Sequence, residues 1–521
     1  MRYSNPMVFL AFFITFMILP GCAALNTFQK QGQIRLEGLH GPVTVMRDEH
    51  GMAYIYADTI DDALMAHGFV SAQDRLFQME LTRLFATGRI SELAGEQAVP
   101  LDTRMRTLGF LRNARKQAAL LNDESRMFFE RYLEGVNAYI RNHSDTYPLE
   151  FKLAGISPTA WSVEESLAVM YLMSWNSAAN IDTEIITQML IEKVGIDKAR
   201  EIFPININPD DAARTVDSQN APHTATLDLG FMNAPDLYDY LDHSMLQIGS
   251  NNWAVGPQSS SNGRPIVAND PHIEANILPG PWYPVGIIMP NVRIVGAGIP
   301  GTPGMVIGRT NNIAFGVTNS YADAQDLYVE TVDPKDPMRY LEGPSSIPFT
   351  MLTETLKIKD KEAKGGFRTK DITIKLTRRG PVISGAMPRL ETQKVISMRW
   401  APFETMGPRI GVDGILTAKT VYEIREALRE TNFIMLNFVF ADTSGNIGWQ
   451  TSGKIPIRSS GDGTVPFIVK DSIDNWTGWI PYEEMPQAYN PERGWVGTCN
   501  HLTVSKNYPY YYTSFASPTF R

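Results

Sequence analysis

Gly249-Ser250-Asn251-Asn252-Trp253 brings a hydroxyl nucleophile, a glycine and two side-chain amides into one short stretch. A serine hydroxyl attacks a carbonyl well only when a base takes its proton. The glycine before it leaves its own carbonyl unshielded and tolerates strained backbone angles. A lone Gly-Ser is ordinarily turn chemistry, so the surroundings decide what this one means. Asp270 and His272, in Asn269-Asp270-Pro271-His272, have the residue types of a serine triad. No Gly-x-Ser-x-Gly elbow encloses Ser250, which argues against a conventional triad hydrolase.

The elements that must position these groups are short β-rich runs. They are expected at 253–255, 265–268, 292–295, 305–307 and 313–318, with turns between them. Upstream, 41–57 reads as a strand pair. Residues 58–86 read as a helix with Asp58 or Thr59 as its cap, Phe69, Ala72, Leu76 and Met79 at helical spacing, and Gly88 as its stop. Within it, Asp74 and Arg75 read as structural ion-pair residues. Further helices are expected at 124–142 and 163–195. Residues 204–234 read as a linker, 359–366 as a hairpin turn, and 432–441 as an apolar strand followed by a turn at 442–446. Early helices and late strands predict an α+β chain.

The net charge of −9, with no basic run, argues against a nucleic-acid partner. Cys22 and Cys499 alone make no disulfide framework. At the N-terminus, Arg2 precedes an apolar run over 7–19 that is too short to span a bilayer comfortably and ends at Gly21-Cys22. This reads as an export signal and predicts a body outside the cytoplasm. Leu19-Pro20-Gly21-Cys22 resembles a bacterial lipobox, which implies lipidation of Cys22 and a membrane anchor in the periplasm. Plain signal cleavage near Ala23 or Ala24 is the alternative.

Four motifs carry a wider resemblance: Gly249 to Pro257, Asn269 to His272, Pro303 to Ser320, and Gly494-Trp495-Val496-Gly497-Thr498-Cys499-Asn500-His501. With Arg47 to Gly51, Ala72 to Glu80 and Gly88 to Gly95, they resemble the penicillin acylase (penicillin amidase) family of N-terminal-nucleophile hydrolases over nearly the whole chain. The resemblance implies a four-layer αββα sandwich, incomplete at the C-terminus. It divides the chain into an export signal (1–22), a mostly helical small subunit (23–204), a spacer (205–249) and the N-terminal part of the large subunit (250–521).

The same resemblance implies self-cleavage between Gly249 and Ser250. Ser250 then becomes both nucleophile and new N-terminus, and its α-amine, of reference pKa about 7.7–8.0, serves as the base. It implies hydrolysis of linear amides by a heterodimer of the two chains, on N-acyl substrates such as β-lactam side-chain amides or acyl-homoserine lactones. His272 stands where penicillin-G-type enzymes carry glutamine. In the cephalosporin and acyl-homoserine-lactone acylase branches a histidine there bonds the nucleophile's amine. The backbone N–H of Asn319 and the side-chain amide of Asn500 correspond to the oxyanion hole, and Arg521 to an arginine near the active site. The helix from Ser174 to Ile181, with Ile273 and Ile307, corresponds to the acyl pocket. Glu184, Asp323, Gln325, Asp326 and Pro456 correspond to a structural calcium site, with Gln325 and Pro456 contributing carbonyls. Calcium is accordingly the expected cofactor, with no organic one. Two positions depart from the pattern: His501 replaces the more usual asparagine, and Tyr511 or Tyr512 stands where a further calcium aspartate is expected. The alternative reading is a truncated, unprocessed lipoprotein that binds a ligand or calcium without turnover.

Overall fold

The computed structural model of the chain describes residues 31–144, 146–178, 180–202, 249–272, 278–387, 390, 392–459, 463–469, 476–505 and 507–513. Cys22, the expected spacer up to 248, Ile273 and Arg521 lie outside the described residues.

The long helix Ile60–Thr87 starts where Thr59 Oγ1 accepts the Asp62 N–H at 3.2 Å and stops at Gly88, whose φ is +63°. A side-chain acceptor at the start and a left-handed glycine at the end satisfy backbone groups that the helix itself leaves unpaired. Two faces of this helix are buried. Ala63, Leu64, Ala66 and Val70 pack on the sheet residues Ile55, Val285, Ile287 and Phe315. Met65, Phe69, Ala72 and Leu76 pack on Phe129, Tyr132 and Val136 of the helix Asp123–Asn142. The two helices cross backbone to backbone: a Cβ on Gly68 would lie 1.8 Å from the Tyr132 carbonyl oxygen, and one on Gly135 1.8 Å from that of Met65.

The helix expected over 163–195 is two helices, Val163–Ala178 and Ile181–Val194. Asn180 interrupts them: its N–H donates to Gln325 Oε1 at 2.8 Å and its Nδ2 to Asp323 Oδ1 at 2.9 Å. Two further helices, Val99–Leu108 and Phe110–Leu120, mix apolar and polar residues about evenly and were not expected.

A nine-stranded sheet runs in the order Thr44–Arg47, Ala53–Tyr56, Tyr283–Met289, Val292–Gly298, Ile307–Arg309, Ile313–Asn319, Leu436–Asp442, Ile447–Thr451, Gln487–Tyr489. Only the Ala53–Tyr56 and Tyr283–Met289 pairing is parallel. The two-residue period of a strand divides its side chains between the two faces. In Leu436–Asp442, Phe438 and Phe440 join the cluster under the helices, whereas Val439 and Ala441 join Ala254, Ile447 and Val496. That second cluster lies beneath a three-stranded sheet, ordered Trp495–Thr498, Gly249–Val255, Ile266–His272. The fold is mixed α and β, and the layers through this region are helices, large sheet and small sheet.

Candidate active site and the acidic cluster beside it

Ser250 lies on the central strand of the small sheet, paired with Pro271. Its backbone N–H donates to Asn500 Oδ1 at 2.5 Å, and Asn500 Nδ2 donates to the Asn319 carbonyl at 3.0 Å. Asn500 is 2% exposed and holds φ at +64°. Asparagine tolerates that left-handed region better than most residues. Asn319 ends the strand Ile313–Asn319 of the large sheet, and its side-chain oxygen accepts the Tyr321 N–H at 2.9 Å. One side-chain amide thus joins the two sheets at the serine.

Asparagines also fix the spacing between the sheets. Asn252 Oδ1 accepts the Thr498 N–H at 3.1 Å and its hydroxyl at 2.6 Å, while Nδ2 donates to the carbonyls of Asn437 at 3.1 Å and Gly316 at 3.4 Å. Asn269 accepts the Val317 N–H at 2.9 Å and donates to the carbonyls of Val317 at 2.8 Å and Asn251 at 2.9 Å. Gly316 permits this approach, since a Cβ there would lie 2.8 Å from that of Asn269. Both asparagines sit inside the sequence motifs around Ser250 and His272, and that position was the only signal for them.

The His272 side chain lies on the face opposite to that of the Ser250 side chain. The cross-strand partner of His272 is Gly249, and Asn251 pairs with Asp270, so Asn251, Asp270 and His272 share that face. His272 Nε2 lies 3.0 Å from Asp270 Oδ2 and 3.2 Å from Asn251 Nδ2. The strand period therefore separates this pair from the serine and removes the triad reading. The Ser174 helix ends at Ala178, and Trp175 packs its ring 5.4 Å from that of Trp400, within the helical core.

Two of the residues matched to a calcium site, Asp323 and Asp326, converge on a guanidinium. The Arg458 side chain is 2% exposed, and its Nε lies 2.8 Å from Asp326 Oδ2, with Nη2 2.9 Å from Asp326 Oδ1 and 3.0 Å from Asp323 Oδ1. Trp476 Nε1–H donates to Asp326 as well. Glu184 is fully buried, and its Oε2 accepts the Leu327 N–H at 3.0 Å. Its Oε1 has no hydrogen-bond partner among the described residues. Burial first, then the Asp326 and Asp323 carboxylates, push the Glu184 carboxyl well above the usual carboxylate range. Pro456 opens the strand Pro456–Arg458. Among the described residues no three His, Cys, Asp or Glu side chains are arranged to hold a metal ion. No local pattern in the sequence marks Arg458, whose partners are more than a hundred positions away.

A model of the penicillin amidase family matches residues 42–521. The chain belongs to the penicillin amidase family. It is 33% identical to the acyl-homoserine lactone acylase QuiP of Pseudomonas aeruginosa over 91% of its own length and 56% of that protein. It is 30% identical to the penicillin acylase 2 proenzyme of Pseudomonas sp. strain SE83, over 94% of this chain and 62% of the relative. The chain therefore spans about three-fifths of the length of these curated relatives. A thermostable penicillin G acylase from Alcaligenes faecalis superposes with a TM-score of 0.42 and 22% identity, over 50% of this chain and 46% of the other.

Proposed function

We propose that this chain is the nucleophile-bearing part of a self-processed hydrolase of linear amides. The observation that carries the reading is the Asn500 side chain, which reaches from the Ser250 nitrogen to the Asn319 carbonyl. Cleavage of the Gly249–Ser250 bond would convert that nitrogen from a peptide N–H into an α-amine. An amine that donates one N–H to Asn500 Oδ1 has its lone pair available for the hydroxyl proton, which is the base a serine nucleophile needs.

In the reaction, Ser250 Oγ adds to the substrate carbonyl while its proton passes to the amine. The second N–H of Asn500 Nδ2 and the Asn319 N–H receive the negative oxygen. The amine then protonates the departing nitrogen, and water releases the acid from the ester by the same steps in reverse. Names of relatives that refer to acyl-homoserine lactones and penicillins favour N-acyl amides as substrates. An αββα sandwich with an outer helical layer, a heterodimer of the cleaved chains, export and Cys22 lipidation belong to the same reading.

Intact-mass analysis of the chain beside Ser250→Ala tests it. Two fragments from the parent alone, the larger beginning at Ser250, are expected, followed by hydrolysis of N-acyl-homoserine lactones or β-lactam side-chain amides. A folded parent that stays whole would overturn the proposal.

A further inference from the structure

We propose that Arg458 is an internal cation standing where a divalent metal would sit between Asp323 and Asp326, and that the chain folds without bound calcium. Calcium takes about 6–8 oxygen ligands at roughly 2.3–2.6 Å. Here three of the four aspartate oxygens, both of Asp326 and Oδ1 of Asp323, face N–H donors instead. Asp326 receives Arg458 and Trp476, and Asp323 Oδ1 receives Arg458 and Asn180 at 3.0 and 2.9 Å. The Gln325 side-chain oxygen is taken by the Asn180 N–H. A metal shell would require each of these donors to turn away.

The surroundings are also built for a guanidinium. The Tyr511 ring lies 5.8 Å from its carbon, and Tyr511 or Tyr512 stands where the calcium pattern leads one to expect a carboxylate. A Cβ on Gly463 would lie 2.8 Å from that same carbon and 2.7 Å from Asp323 Oδ2, so the chain passes close over the pair. Arginine suits the role because it is always charged and its planar fork addresses two carboxylates at once. Through it the strand Pro456–Arg458 is tied to the strand Gln325–Glu330 and to its approach at Asp323. The arrangement takes the structural role of a metal into the covalent chain.

Metal content and thermal midpoint test this independently of any cleavage at Ser250. Protein prepared without added divalent ions is expected to contain no stoichiometric calcium by mass spectrometry of its metals. Its midpoint is expected to be the same in EDTA and in millimolar calcium. Arg458→Met is expected to lower the midpoint by several degrees, and Arg458→Lys, which keeps the charge but loses the fork, by less. One equivalent of bound calcium with an EDTA-sensitive midpoint would overturn the proposal, as would an Arg458→Met protein as stable as the parent. Should Arg458→Met fail to fold, the metal content and EDTA response of the parent still decide.

Discussion

The side-chain oxygen of Asn500 lies 2.5 Å from the backbone nitrogen of Ser250, across 250 positions of sequence. The hydrogen bond forms while that nitrogen is still part of a peptide. The acceptor that would later orient the amine is therefore in place before any bond is cut. The left-handed backbone of Asn500, at φ +64°, turns its amide into this position from the end of the strand Trp495–Thr498.

Asn500→Asp separates the two halves of that amide. The carboxylate keeps an acceptor for Ser250 and loses the donor to Asn319 and to a developing oxyanion. Losing one such donor costs on the order of 10²–10³ in rate. The kcat/KM of Asn500→Asp on an N-acyl amide is expected to fall by about that factor. Asn500→Ala removes both halves and is expected to slow appearance of the Ser250 fragment on a gel as well. Equal cleavage and turnover in all three proteins would remove Asn500 from the site.

Gly68 and Gly135 set the distance between the two longest helices. Alanine at either would place a methyl carbon 1.8 Å from a carbonyl oxygen, far inside contact, so the helices must separate or bend. Overpacking of this kind typically costs about 1–3 kcal/mol, occasionally more. Thermal unfolding of Gly68→Ala and Gly135→Ala should show a clear loss. Gly478→Ala, with nothing within 4 Å of the added carbon, should show almost none.

Close approach of this sort explains which parts of the fold were legible. The helix Ile60–Thr87 was readable because its cap, apolar period and stop are all local, and the hairpin around 359–367 because its turn residues are. Val99–Leu108 and Phe110–Leu120 escaped notice because they bury only a few small or apolar residues among charged ones. At the site, Ser250, Asn319 and Asn500 were found through motifs and do meet. His272 was assigned by motif position, and strand alternation sets its side chain on the face opposite to the Ser250 hydroxyl while its backbone pairs with Gly249. The acidic cluster was legible as carboxylates, but the cation they hold comes from 132 and 135 positions away and leaves no period to read.

His67 gives the chain a pH dependence. It is enclosed by Tyr132, with ring centroids 5.1 Å apart, and Tyr283, at 6.4 Å, and burial holds its pKa down at about 4 against an ordinary 6.5. Between those values the unfolded chain binds a proton that the native one does not, so stability present above pH 6.5 is lost as pH falls toward 4. The full effect of such a shift is about 3 kcal/mol. The midpoint at pH 4.5 should lie below that at pH 7, and His67→Gln should shrink the difference. An unchanged difference would assign the acid sensitivity to other groups.

Asn252 is the tie whose loss should couple stability to cleavage. Its amide is satisfied by Thr498 on the neighbouring strand of the small sheet and by Asn437 and Gly316 on the large one, two positions from Ser250. Leaving a buried donor or acceptor unpaired costs about 1–3 kcal/mol. Asn252→Ala leaves the buried Thr498 N–H without its acceptor and removes the tie to the Asn437 and Gly316 carbonyls, and is expected to destabilise the chain by about 1–3 kcal/mol. Asn252→Asp keeps the Thr498 contacts but sets a buried carboxylate against the carbonyls of Asn437 and Gly316, so it should be worse at neutral pH despite its matching shape. Because the strand pinned by Asn252 also carries Ser250, release of the Ser250 fragment should slow in the order parent, Asn252→Ala, Asn252→Asp. A time course by gel alongside thermal midpoints checks both. Loss of stability with normal cleavage would show that the tie holds the sheets together without positioning the serine.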